Sequence, residues 1–271
     1  MQNKKKIIPE IYNFLRPKQT KNLARFGIEK DGGYIVEKDV VAKVNHLVSF
    51  GMSDEFSFET DFLNYNKGST IHIYDHTVNH KNYLLNIFKL FRRVITFRRS
   101  LKKLLIVISK YWLFLKFINN KRVKFFCLKI TKEVNKKKEI NIDGVFSKIN
   151  ESIDNIGVKI DIEGDEYIIL NKITEKTKKI NFLIIEFHAI DKNKNIFIEG
   201  LINLTKYFDV IHLHGNNHGS LQNDGFPNVI EISFVNKKNN LNYTEYPTSF
   251  PIKNLDFPNN PHNPDIEINF K

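Results

Sequence analysis

Short apolar runs with turn-like ends recur along the chain. The main ones are His46–Phe50, Ile71–Tyr74, Val123–Leu128, Val158–Ile162, Phe182–Phe187, Val210–Leu213 and Val229–Phe234. Runs of four to six such residues, bounded by polar or turn-forming positions, predict strands buried on both faces of a parallel sheet. Between several of them the apolar spacing changes to three and four, predicting helices over Ser57–Asn66, Asp165–Thr174 and Ile196–Lys206. Strand and helix in alternation predict an α/β fold with an open, doubly wound sheet. The last two runs are joined by a loop alone, so an antiparallel strand is expected at the end of the strand order. Residues 7–25 read as an amphipathic helix broken at Pro17, followed by the Asp31-Gly32-Gly33 turn and a short strand, Tyr34-Ile35-Val36. From Tyr246 onward Pro247, Pro251, Pro258, Pro261 and Pro264 exclude a helix and predict an extended tail that closes with Ile266–Phe270. No repeat or Gly/Ser linker divides the 271 residues, so one domain over 1–271 is expected.

The formal net charge of +12 changes this picture only locally. From His76 to Lys132 there is no Asp or Glu, while Lys and Arg number 15; the rest of the chain holds 27 bases against 30 acids. The chain is thus a mildly acidic globule with one basic insert at 80–122. Within it Leu84, Leu85, Ile87, Phe88, Phe91, Ile95, Leu101, Leu104, Leu105, Ile108, Trp112, Leu115 and Ile118 fall largely on helical spacing, with Arg92, Arg93, Arg98, Arg99, Lys102, Lys103 and Lys110 among them. Basic amphipathic helices of this kind either pack on the body or a second copy, or lie on an anionic membrane surface. The run Leu104–Ile118 carries Lys110 and Lys116 and is too short to cross a bilayer. A nucleic-acid partner is not expected, because the bases are confined to one apolar-rich segment. A single cysteine, Cys127, excludes an internal disulfide, and no apolar leader follows Met1, so a cytoplasmic protein is expected.

In open α/β sheets ligands bind beyond the carboxyl ends of the strands, which directs attention to the residues after each run. After the first stand Gly51, Met52, Ser53 and Asp54, and after the second Asp75, 24 residues on from Gly51. A glycine that lets backbone approach a ligand, with a carboxylate at the next strand end, suits a nucleoside held by its ribose. The fourth run leads into Lys159-Ile160-Asp161-Ile162-Glu163-Gly164-Asp165-Glu166; alternation places Lys159, Asp161 and Glu163 on one face. Asp161 is the functional candidate there. Glu166 reads as an acidic helix start suited to the macrodipole, and Lys159 as the partner of a carboxylate. Glu186 and His188 share a face at the fifth run, His212 and His214 at the sixth, where Gly215-Asn216-Asn217-His218 follows as a sharp turn. Asp161, His188 and His214 at neighbouring strand ends can serve as general base or as ligands for a divalent metal.

Four segments resemble the FkbM-like family of S-adenosylmethionine-dependent methyltransferases, in a bacterial branch found near surface-polysaccharide genes. They are Asp31-Gly32-Gly33-Tyr34, Ser49-Phe50-Gly51-Met52-Ser53-Asp54 with Phe58-Glu59, the run from Lys159 to Glu166, and His212-Leu213-His214-Gly215-Asn216-Asn217. The ending from Leu255 to Pro261, with Pro264-Asp265-Ile266, is similar to that branch too. The resemblance covers most of the chain outside 80–122. It implies a seven-stranded, Rossmann-like methyltransferase sheet with S-adenosylmethionine over the first two strand ends. On that resemblance Gly51, Ser53 and Asp54 match the donor loop, Asp75 the ribose-binding acid, and Asp161 a position near the reacting methyl. It further implies O-methylation of a sugar in a surface glycan or its nucleotide-linked precursor. A membrane- or polyanion-binding module on the same scaffold is the alternative.

Overall fold

The structure is a computed structural model that describes residues 7–96 and 100–271; Lys4, Lys5, Lys6, Arg98 and Arg99 lie outside the described residues. Seven strands make one sheet: β1 (His46–Phe50), β2 (Thr70–Tyr74), β3 (Val123–Phe126), β4 (Ile156–Ile160), β5 (Ile180–Phe187), β6 (Phe208–Gly215) and β7 (Ile230–Asn236). Their order is β6-β7-β5-β4-β1-β2-β3. All neighbours are parallel except those of β7, which is antiparallel to both β5 and β6. The expected α/β, doubly wound sheet with a helical insert is therefore present. One expectation is corrected: the antiparallel strand is not at the end of the order but lies between β5 and β6. The chain crosses from β5 to β6 over a gap one strand wide, and the hairpin return from β6 places β7 in it.

Alternate residues of the strands face two separate cores. Val48, Val158, Leu183 and Ile185 face one layer, built from helices α4 (Glu166–Glu175) and α5 (Ile190–Leu204). Leu47, Ile71, Ile73 and Ile184 face the other, with Phe58 and Phe62 of α1 (Ser57–Tyr65). Burial of both faces accounts for the near-continuous apolar runs.

The N-terminal segment departs from its helical pattern. Only Glu10–Leu15 winds, as a 3-10 turn, where Tyr12 stacks on Phe226 with ring centroids 3.8 Å apart. Beyond Pro17 the chain is extended, and Leu23–Phe26 pairs antiparallel with Tyr34–Glu37, Phe26 opposite Tyr34. Pairing across the Asp31-Gly32-Gly33 turn overrides the local periodicity. The insert forms two helices, α2 (His80–Ile95) and α3 (Leu101–Ile118), between β2 and β3. The tail is extended, touching the core through Ser249–Phe250 paired with Ile268–Asn269 and an Ile266 bridge to Gly215.

Candidate active site

At the carboxyl end of β1 the backbone turns at Gly51 with φ +72°, and a Cβ there would lie 1.6 Å from the Asp161 carbonyl oxygen. Only glycine admits this approach of the β1 and β4 ends. The junction is tied by Asp161 N–H donating to the Phe50 carbonyl at 3.0 Å and by Lys159 Nζ donating to the Gly51 carbonyl at 2.8 Å. Lys159 is buried, and its carboxylate partner is Glu59 of α1, 3.6 Å away, rather than Asp161. Burial opposes the ammonium charge, but Glu59, Asp161 and Glu186 outweigh it and raise the Lys159 pKa.

Asp75 sits where β2 ends, buried, with both oxygens in use. One accepts from the Met52 and Ser53 amides at 2.9 and 2.8 Å; the other accepts from the Thr77 amide and hydroxyl at 2.7 and 2.6 Å and the Val78 amide at 3.3 Å. Burial would raise its pKa, yet these donors more than offset it and hold the carboxyl below its ordinary value. Asp75 therefore braces the glycine loop in the backbone shape it has, including Ser53 at φ 53°. A cavity of about 700 Å³, open mouth included, lies over these strand ends and is lined by Gly51, Ser53, Tyr74, Asp75, Asp161 and Ile162 among others. Asp54 is not in its wall. Its carboxylate turns away to Lys110 Nζ of α3, 2.7 Å distant, because the positive φ at Ser53 reverses the loop.

Asp161 also lines a second cavity, of about 550 Å³, together with Asp31, Glu163, Glu186, His188, Asn216 and His218. Over it the hairpin brings Tyr34, whose hydroxyl lies 3.0 Å from Asp161 and 3.3 Å from Glu186. Glu186 is buried directly opposite Glu231 of β7. Burial first, then the charges of Asp161, Glu231 and Asp31, push its pKa well above the usual carboxylate value, against the Asn216 amide that donates to it at 2.7 Å. The Tyr34 hydroxyl is placed to donate to either carboxylate, the shorter contact being to Asp161.

His188 follows β5. Its Nδ1 is hydrogen-bonded to Glu166, and its Nε2 faces Glu186, Glu163 and Asp161 at 3.5, 3.6 and 4.0 Å. Burial disfavours the imidazolium, but the Glu166 bond and the carboxylates of Asp161 and Glu163 prevail and raise its pKa. Glu166 is thus more than a helix-start acid. It is wholly buried and accepts from Gly164 N–H as well as fixing the His188 ring. Asp161, Glu186 and His188 each offer one ligand atom within 4.8 Å of the others, so these three could hold a divalent cation. Oxygen and imidazole donors, with the imidazole's far nitrogen bonded to a carboxylate, suit such an ion.

His214 does not join this group. With β7 interposed, β6 lies two strand spacings from β5, roughly 10 Å. His214 Nε2 bonds Asp265 of the tail at 2.9 Å and Nδ1 lies 3.4 Å from Glu231, while His212 bonds Asp256 at 3.1 Å. The β6 end reaches the cleft through its loop instead, by Asn216 and His218. Burial would lower the His214 pKa, but Asp265 and Glu231 raise it to about 10. A folded pKa above the unfolded value means that this stabilisation is complete below about pH 6.5 and is lost as pH rises toward 10. Thermal melts should therefore show a fall in stability over that window, and His214→Gln should flatten it. An equally steep fall in the variant would show that other groups govern the alkaline limb.

Tyr34 and Glu186 are the site residues that single-residue reasoning passed over. Alternation with His188 marks Glu186, and the turn Asp31-Gly32-Gly33 marks the place of Tyr34, but only the hairpin fold carries it over the sheet.

No family model matches the sequence, and no curated protein sequence matches it. Among solved structures, the chain is similar to a fibrillarin/Nop5p complex at 11% identity, with 71% of this chain and 72% of that one covered and a TM-score of 0.38. It is similar to the fibrillarin pre-rRNA processing protein of Methanococcus jannaschii at 10% identity, coverage of 72% and 68%, and TM-score 0.38. It is likewise similar to a precorrin-6y C5,15-methyltransferase of Geobacter metallireducens GS-15 at 10% identity, coverage of 74% and 86%, and TM-score 0.36. Likeness at this level assigns neither donor nor acceptor to this chain.

Proposed function

We propose that the protein is an S-adenosylmethionine-dependent O-methyltransferase whose acceptor is a sugar hydroxyl. One observation carries this reading: Asp161 stands in the walls of two cavities, one over the glycine loop and one among ionisable groups. A donor in the first cavity and an acceptor in the second would meet at that residue. The resemblance of the Gly51 loop and the Lys159–Glu166 run to FkbM-like enzymes supports the donor, and the polar lining of the second cavity suits a polyhydroxyl acceptor.

The chemistry asked of the protein is alignment and removal of one proton. The acceptor oxygen attacks the methyl carbon, the carbon–sulfur bond breaks with its electron pair going to sulfur, and the sulfonium becomes a neutral thioether. His188 Nε2 faces the cleft among Glu186, Glu163 and Asp161 and, in its unprotonated form, takes the hydroxyl proton; the raised pKa makes that form the alkaline one. Glu166 holds the ring and stabilises the imidazolium that forms, while Asp161 faces the positive sulfonium. A divalent ion held by Asp161, Glu186 and His188 would instead supply the deprotonation by lowering the hydroxyl pKa.

Calorimetric titration with S-adenosylmethionine tests the donor, and micromolar binding is expected. Asp75→Ala should weaken it about ten- to a hundredfold, about 1.4–2.8 kcal/mol, because the Met52 and Ser53 amides lose the carboxylate that fixes the loop on which the donor would rest. An unchanged dissociation constant in the folded variant would show that the loop holds its shape without Asp75. No binding by the wild type would remove the methyltransferase reading and leave a scaffold with a binding surface.

A further inference from the structure

We propose that the outward face of the α2–α3 hairpin docks on the surface of an anionic lipid bilayer. Helix α2 has sixteen residues and none of them is buried. Leu84, Phe88 and Phe91 form a stripe on it at spacings of four and three, and Leu105, Ile108 and Trp112 form a second on α3; Phe88 is 59% and Trp112 68% exposed.

The contacts of the hairpin fix where these stripes point. Phe117 of α3 stacks on Phe56 of the body at 4.8 Å, and Phe114 meets Phe125 of β3 edge-on at 5.7 Å. At about 100° per residue, positions 105, 108 and 112 fall opposite Phe114 and Phe117, away from the body. Tyr83, near the start of α2, packs against Tyr111 and Phe114, late in α3, so the helices run antiparallel. In that arrangement positions 84, 88 and 91 fall on the same outward side. The two stripes make one continuous apolar face.

Lys81 and Arg92 border this face on α2, as Lys102 and Lys116 do on α3, and the segment from His76 to Lys132 has 15 bases and no acid. That charge decides the occupant. A second copy applied to the same face would set acid-free surfaces against each other with no counter-charge. An anionic bilayer offers phosphates to the rim and an apolar boundary to the aromatic side chains. Among the described residues no helix is long and apolar enough to cross a membrane, so the hairpin would lie in the interface. The Lys110–Asp54 pair fastens α3 to the glycine loop, so docking would hold the first cavity beside the bilayer.

Co-sedimentation with phosphatidylcholine vesicles, with and without phosphatidylglycerol, tests this on the full chain. Binding should require the anionic lipid and decline as salt rises. Phe88→Gln combined with Trp112→Gln, at positions already in water, should weaken it at least tenfold with an unchanged thermal midpoint. If that variant unfolds, Lys81→Gln with Arg92→Gln and Lys116→Gln should still reduce binding and its dependence on salt. The proposal is overturned if the wild type ignores anionic vesicles at low salt or if the apolar double variant binds as well as wild type. It also fails if the wild type, without binding vesicles, is a dimer that the double variant splits, which would make the face a contact between copies. Retention by polyuridylate in place of vesicles, lost in the variants, would overturn it in favour of RNA.

Discussion

His188→Ala is expected to lower turnover by about 10²–10⁴-fold while leaving the dissociation constant for S-adenosylmethionine within a few-fold of wild type. The side chain faces the second cavity and is absent from the wall of the first, so the loss should fall on the chemical step. Glu166→Gln should give a smaller loss, because the amide can hold the ring but carries no charge to balance an imidazolium. Dialysis against a chelator separates the two ways of removing the proton. Activity that disappears and returns with a divalent ion assigns the cluster to metal binding; full activity after chelation assigns the step to His188. Wild-type turnover in His188→Ala would mean that neither operates and that this histidine is structural.

Gly51→Ala is expected to abolish measurable donor binding and to lower the thermal midpoint by several degrees. Two costs add at this position. Left-handed φ costs a residue with a Cβ about 1–2 kcal/mol, and the new carbon would sit 1.6 Å from the Asp161 carbonyl oxygen, which belongs to backbone and cannot rotate aside. The β1 and β4 ends must separate, and overpacking of this kind costs typically 1–3 kcal/mol more. The bonds most exposed to that separation are Asp161 N–H to Phe50 and Lys159 to Gly51, so the loop and Asp161 should move together. Calorimetry with a parallel thermal melt checks this. Donor affinity retained in a stable variant would show that the first cavity is not where the donor binds.

Much of the sheet is legible in the sequence because its strands are buried on both faces, so their apolar runs are uninterrupted. His46–Phe50 coincides with β1, and the others differ by a few residues at their ends. The fourth run is read two residues late: β4 ends at Ile160, so Asp161 and Glu163 belong to the loop, with Glu163 at φ 57°. Alternation therefore places them correctly at the cleft for a reason that does not apply beyond the strand. What local pattern cannot give is lateral order. Nothing near His214 tells it that β7 will lie between its strand and β5, and one interposed strand turns a site candidate into a tie for the tail. Glu166 shows the converse limit. Its place at a helix start is visible, but His188 arrives from 22 residues away.

The ring of acids at the second cavity also sets what the pocket refuses. Asp31, Asp161, Glu163 and Glu186 line it and Glu231 lies behind, whereas His188 and His218 are the basic side chains of its wall. A phosphate entering there would meet like charge with no lysine or arginine to compensate, and repulsion of that kind sorts substrates as strongly as attraction does. The pocket should therefore take the uncharged or cationic part of an acceptor and hold any phosphoryl portion outside. Inorganic phosphate or a sugar phosphate should compete poorly with a neutral glycoside, a selectivity that arises from exclusion rather than from fit.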